Sequence, residues 1–170
     1  MLSDFILVKI RMAVLKDLKG ITEIYNDAIL NTVATFDIEP KTIQEQKKWF
    51  KEHDKKNPII IAEINKEIVG FASLSDYSTR CAYSDTAEIS VYVKETYQGK
   101  GIGKKLIKKI VDAGRKAGLH VLISRITDGN KKSIHLHEIV GFKHVGIYKE
   151  IGYKFGKRLD VYLMEKIYKK

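Results

Sequence analysis

Hydrophobic and polar positions change period several times along the chain, and each change marks an element. Residues 5–12 carry Phe5, Ile6, Leu7, Val8, Ile10 and Met12, enough apolar character for a strand. Asp17 predicts a helix cap, and behind it Leu18, Ile21, Tyr25, Ala28 and Ile29 recur at the spacing of one helix face. After a polar loop, Thr42 and Glu45 have capping-box spacing; they predict a second helix that turns Trp49 and Phe50 inward and ends near Lys56. Pro58 restarts the chain as strand. Runs over 59–63, 68–74 and 89–93 are rich in β-branched residues, and a short turn near Asn65 joins the first two, which predicts an antiparallel meander.

The period then lengthens again. Ile102, Leu106, Ile110, Ala113 and Ala117 share one face of a helix closed by Gly118, and 121–123 is an apolar strand, so strand, helix and strand form a crossover. A helix over 130–140 stops at Gly141, and strands over 142–148 and 159–165 follow. The sum is an α/β fold, a mixed and mostly antiparallel sheet flanked by about four helices. The 170 residues, 44% hydrophobic with two prolines, show no linker or repeat and predict a single domain over 1–170.

Charge and cysteine content narrow the chemistry. The formal charge of +10 favours an anionic partner. The lysines are scattered in pairs such as Lys47–Lys48, Lys108–Lys109 and Lys131–Lys132, without an arginine stripe or interleaved aromatics, which argues against nucleic acid. Cys81 is the only cysteine, so an internal disulfide is excluded and a reducing cytoplasm is the expected compartment. His135 and His137 stand two apart, a spacing that does not share a helix face, and no metal is expected. The apolar run at 5–8 is too short for a signal sequence or a membrane span.

One stretch carries more specific information: Gln98, Gly99, Lys100, Gly101, Ile102, Gly103 and Lys104, directly before the 102–117 helix. Bare backbone N–H groups and a helix start favour an anion, above all a phosphate. The spacing GxGxG is not the dinucleotide fingerprint, and Gly103–Lys104 is followed by Lys105 where a P-loop needs Ser or Thr. What remains is QxxGxG, which resembles the pyrophosphate loop of the GCN5-related N-acetyltransferases. A second signature of that family, NxxSxxLxxxxGF, is matched in register by Asn130, Ser133, Leu136, Gly141 and Phe142. Residues 80–93, 35–40 and 152–161 are similar to the phosphinothricin acetyltransferase group within it.

The resemblance implies acetyl-CoA as co-substrate, held where two strands splay apart. Val91, Tyr92 and Val93 would bond its pantetheine arm, Gln98 to Lys104 its pyrophosphate, and Asn130 with Ser133 the opposite side of the arm. A glutamate at the place of Glu88 is the base proposed for the group, and an apolar strand would raise its pKa. His137 stands where many relatives carry a tyrosine acid; a histidine satisfied by hydrogen bonds is the alternative. Arg80, Cys81, Ala82 and Tyr83, with Phe36 as apolar wall, fall at the amino-acid pocket, where an arginine fork suits a carboxylate or phosphinate. A homodimer is also implied. The expected activity is direct acetyl transfer to the α-amino group of a small amino acid, phosphinothricin, methionine sulfone or methionine sulfoximine. Open alternatives are an acetyltransferase for protein N-termini or lysines, and a non-catalytic module that senses CoA or binds nucleic acid.

Overall fold

The computed structural model describes residues 7–169, so Phe5 and Ile6 of the first predicted strand lie outside the described residues. In chain order the elements are β1 (Lys9–Met12), α1 (Leu18–Asn31), α2 (Ile43–Lys51), β2 (Ile59–Ile64), β3 (Glu67–Asp76), β4 (Thr86–Val93), α3 (Ile102–Lys116), β5 (Val121–Thr127), α4 (Lys131–Ile139), β6 (Lys143–Lys154) and β7 (Lys157–Ile167). The strands form one seven-stranded sheet, ordered β1-β2-β3-β4-β5-β7-β6. Only β4 and β5 run parallel, joined by the α3 crossover.

Alternation along the strands feeds two hydrophobic layers. On one face Ile59, Ile61 and Phe71 pack with Ile21 and Ile24 of α1, with Trp49 and Phe50 of α2 against them. On the other, Ala72, Leu74, Ala87 and Ile89 pack with Leu106, Ile107 and Ile110 of α3.

Three local expectations change. Asp17 does not cap α1 with its side chain; its carboxylate accepts from the Val14 N–H at 2.8 Å and from Arg11 at 2.6 Å, closing a short 3-10 turn instead. The second helix stops at Lys51, ahead of Lys56, because the Asp54 carboxylate accepts the N–H groups of Lys56 and Asn57 and folds the chain into a turn. The strand expected over 142–148 continues to Lys154. A register shift between Tyr148 and Gly152 absorbs Glu150 at φ 52, and Phe155 and Gly156, both at positive φ, close a two-residue hairpin into β7.

Candidate active site

The ladder between β4 and β5 has three rungs, Thr86↔Val121, Ala87↔Leu122 and Glu88↔Ile123, after which the strands part. Glu88 therefore sits at the point of divergence. A cleft of about 710 Å³ opens there, lined by Glu88 to Tyr92 of β4, Ser124 to Thr127 of β5, Asn130 at the N-cap of α4, Ser133 and His137 of α4, and Phe36 of the loop after α1.

Backbone direction decides which β4 groups face this gap. Lys94 donates its N–H to the Val69 carbonyl across β3. By alternation the backbone groups of Tyr92 and Ser90 also turn to β3, and those of Ile89, Val91 and Val93 turn to the gap. Of the three residues expected to bond a ligand through the main chain, Tyr92 is thus committed to the sheet. Its ring lies on the α1 side, 5.2 Å from Phe71 and 5.3 Å from Tyr25, and burial drives its hydroxyl pKa upward.

The apolar setting expected for Glu88 is not what the fold provides. Both carboxylate oxygens accept from Arg125, at 2.7 Å from Nε and 2.5 Å from Nη2. Arg125 keeps 57% of its side chain exposed and Glu88 22%, so the pair contributes little stability and serves to orient the carboxylate. Each oxygen retains a lone pair for a further donor. Ser75 is the direct cross-strand partner of Glu88 and shares the cleft lining.

His137 is buried, its ring edge-on to Phe142 at 4.9 Å, and burial lowers its pKa. Its Nδ1–H donates to the Ser133 carbonyl at 2.8 Å; Nε2 is then the acceptor and takes the Ser124 hydroxyl proton at 3.0 Å. A neutral imidazole whose one proton is committed to a carbonyl has none to give. The acid role expected of His137 therefore does not follow from the geometry, and the group it presents toward the cleft is the hydroxyl of Ser124.

At the glycine stretch, Gly99 and Gly101 have φ of 75° and 77°, and Gly101 is the N-cap of α3. A Cβ at either would meet open space, so glycine is required by the backbone turn that leaves the first α3 N–H groups free. Gly103 differs: a Cβ there would stand 3.0 Å from Leu136 Cδ1, so its bareness serves the packing of α3 on α4. Gln98 donates from Nε2 to the Val93 carbonyl at 3.3 Å, tying the loop to the end of β4. Lys100 lies over the Tyr97 ring, and Lys104 is exposed beside the open backbone. Asn130 caps α4, its Oδ1 accepting from the Ser133 N–H at 3.2 Å.

Phe36 is seated by two contacts that no sequence pattern announces. Gly152 leaves the room its ring occupies, and the buried Lys154 ammonium donates to the neighbouring Thr35 carbonyl at 2.8 Å. The strand that supplies them, β6, also brings Tyr148, Ile151 and Tyr153 to the cleft. Arg80, Cys81, Ala82 and Tyr83 lie instead on the exposed loop between β3 and β4, outside the cleft lining, with Tyr83 edge-on to Tyr77.

The acetyltransferase (GNAT) domain matches residues 10–163. The chain belongs to the GNAT acetyltransferase family. It is 37% identical over 158 residues, 92% of each chain, to the L-methionine sulfoximine/L-methionine sulfone acetyltransferase of Pseudomonas aeruginosa. Among solved structures, a GNAT phosphinothricin acetyltransferase from Sinorhizobium meliloti in complex with acetyl-CoA superposes with TM-score 0.90 at 33% identity, covering 94% of this chain and 88% of that one. The ribosomal-protein-alanine N-acetyltransferase of Brucella melitensis gives 0.91 at 35% identity, covering 94% and 99%.

The residues of this GNAT chain fit acetyl-CoA. A positive-φ cradle with free N–H groups suits its pyrophosphate, and a gap edged by unpaired strand backbone suits an amide-bearing arm. Among the described residues, no group of three or more His, Cys, Asp or Glu could hold a metal ion, and no helix is long and apolar enough to cross a membrane.

Proposed function

We propose that this chain transfers acetyl from acetyl-CoA directly to the α-amino group of a small amino acid or analogue: phosphinothricin, methionine sulfone or methionine sulfoximine. The observation that carries the proposal is the parting of β4 and β5 at Glu88, beside the glycine cradle. The names of its relatives support the substrate class.

When bound, acetyl-CoA supplies an activated carbonyl for the amine to attack. Gly99 to Lys104 hold its phosphates, the gap-facing backbone of Val91 and Val93 its arm, and Asn130 and Ser133 the far side. An N–H directed from Ile89 or Val91 into the gap can stabilise a developing oxyanion, a contribution of about 3 kcal/mol to the barrier. Glu88, oriented by Arg125, accepts the proton of the acceptor ammonium. His137 fixes Ser124 and the start of α4, and no acid is required because a thiolate of ordinary cysteine-like pKa leaves readily. Phe36 forms the apolar wall. Arg80, Cys81, Ala82 and Tyr83 remain candidates only for the outer approach to the cleft.

A cytoplasmic homodimer completes the proposal. The exposed thiol of Cys81 suits a reducing compartment, and the edge strand β6 shows Val145, Ile147, Ile151 and Tyr153 to solvent, with Phe155 of the following turn, a surface suited to a second copy. The test is thiol release from acetyl-CoA with a panel of amino acids and peptides. Turnover with methionine sulfone or phosphinothricin supports the proposal, turnover restricted to peptides favours a protein acetyltransferase, and salt-sensitive nucleic-acid binding without turnover refutes both.

A further inference from the structure

Two serine hydroxyls at the cleft are each held by an imidazole: Ser124 by His137, and Ser75 of β3 by His53. The second pair stands beside the proposed base. Ser75 is the direct cross-strand partner of Glu88, and side chains so paired leave the sheet on one face with Cβ atoms about 4.5–5.5 Å apart. That face is the one covered by α1 and α2, since Ala87 and Ile89, on either side of Glu88, belong to the layer against α3. Both residues line the cleft. Arg125 reaches Glu88 from β5, so Ser75 occupies the opposite flank of the carboxylate, on β3.

Behind Ser75 lies His53, two residues past the end of α2 and outside the cleft lining. Its ring packs on Trp49 at 4.5 Å. Nδ1 is 2.7 Å from the Trp49 carbonyl and Nε2 is 3.1 Å from Ser75 Oγ. A carbonyl can only accept, so Nδ1 carries the ring proton; burial keeps the ring neutral, and the bare Nε2 takes the hydroxyl proton of Ser75. Ser75 Oγ is thereby left with lone pairs and no proton to offer. An oxygen that can only accept suits a donor, and the donor that must come to Glu88 is an ammonium with three N–H bonds. Glu88 removes one of them, and the other two still need acceptors.

We infer that Ser75 is a binding residue for the acceptor, its oxygen accepting a second N–H of the α-ammonium whose first faces Glu88, with His53 the positioning residue that keeps the hydroxyl proton turned away. The inference rests on the proposed amino-acid acetylation. The nitrogen is cationic in the bound substrate and cationic again in the tetrahedral adduct, so this hydrogen bond holds both states alike and is felt mainly in KM.

The test sets steady-state kinetics with methionine sulfone beside inhibition by 4-(methylsulfonyl)butanoate, the same molecule without its amino group. Ser75→Ala should lower kcat/KM at least about tenfold, chiefly through KM, as expected for loss of one hydrogen bond to a charged group, and leave the inhibition constant of the desamino compound unmoved. Ser75→Cys, close in size but with a weakly accepting sulfur, should match the alanine variant, and it keeps the comparison available where the alanine variant fails to fold. Ser75→Thr, which retains the hydroxyl, should regain most of the loss. His53→Phe should raise KM in the same direction, again without moving the inhibition constant. Parallel rises in KM and the inhibition constant, or no change in either, overturn the role of Ser75, while turnover by the unaltered enzyme keeps the acetylation itself intact. Absence of turnover with methionine sulfone and every other amino acid of the panel overturns both.

Discussion

Replacing Gly152 by alanine would drive one methyl group into the site. The added Cβ lies 2.3 Å from both Cε1 and Cζ of Phe36 and 2.9 Å from Cε2, so the ring cannot stay where it is. Phe36 cannot retreat freely either, since Lys154 holds the adjacent Thr35 carbonyl at 2.8 Å and Tyr25 hydrogen-bonds Thr35 and Asp37 on either side. Overpacking of this kind costs about 1–3 kcal/mol. For a domain of this size that is a fall in Tm of roughly 2–12 °C. Displacement of a substrate wall by an ångström can cost on the order of a hundredfold in rate, so kcat/KM for the amine should fall by about ten- to a hundredfold. Affinity for acetyl-CoA, governed by the distant glycine loop, should change little. Thermal melts and steady-state kinetics with both substrates measure these terms separately. Phe36→Leu combined with Gly152→Ala should recover much of the lost Tm, because a smaller side chain vacates the overlap. An alanine variant with unaltered Tm and acceptor kinetics would refute the account of how Phe36 is seated.

Other consequences can be measured as directly. Glu88→Gln should reduce kcat by at least about a hundredfold, within the range for removal of a general base, and a variant as fast as the parent across pH 6 to 9 removes Glu88 from the mechanism. Gly101→Val places a β-branched residue at φ 77°, so calorimetry should find acetyl-CoA binding weakened at least tenfold, alongside about 1–3 kcal/mol of backbone strain; intact affinity refutes the phosphate cradle. His53 and His137 both have pKa values pushed below 6.5 by burial. The unfolded chain then binds protons that the native state resists, so stability is full above pH 6.5 and is lost as pH falls below it; urea midpoints should decline from pH 7 to 5, less steeply in His137→Gln, and a pH-independent midpoint contradicts the neutral histidines.

Much of the fold was legible because local signals and tertiary packing agree. The helix faces at Leu18 to Ile29 and Ile102 to Ala117 are the faces that meet the sheet, and the capping box at Thr42 and Glu45 is formed. The features that were not legible depend on register between distant strands. Arg125 reaches Glu88 across 37 positions only because β5 is parallel to β4, and nothing local distinguishes it from a surface arginine. The extension of β6 turns on Asp160 accepting the Glu150 N–H at 2.8 Å, which stabilises a bulge that periodicity cannot anticipate. A usable clue was present in Gly156, a turn residue between the β6 and β7 runs that supplies one of the two positive-φ positions of the hairpin. Burial of Gln46 was hidden by its residue type, since the amphipathic pattern of α2 points to Trp49 and Phe50.

The three-rung ladder between β4 and β5 divides the sheet into halves of four and three strands, fastened at one end like a hinge. A ligand held by the free β4 edge on one side and by Asn130 and Ser133 at α4 on the other spans the gap and fastens the other end. Occupancy and mechanical integrity thus draw on the same backbone groups. A loaded molecule is stabilised against opening along this seam by RT ln(1 + [L]/Kd), which makes the supply of its acyl donor a determinant of the stability of the fold.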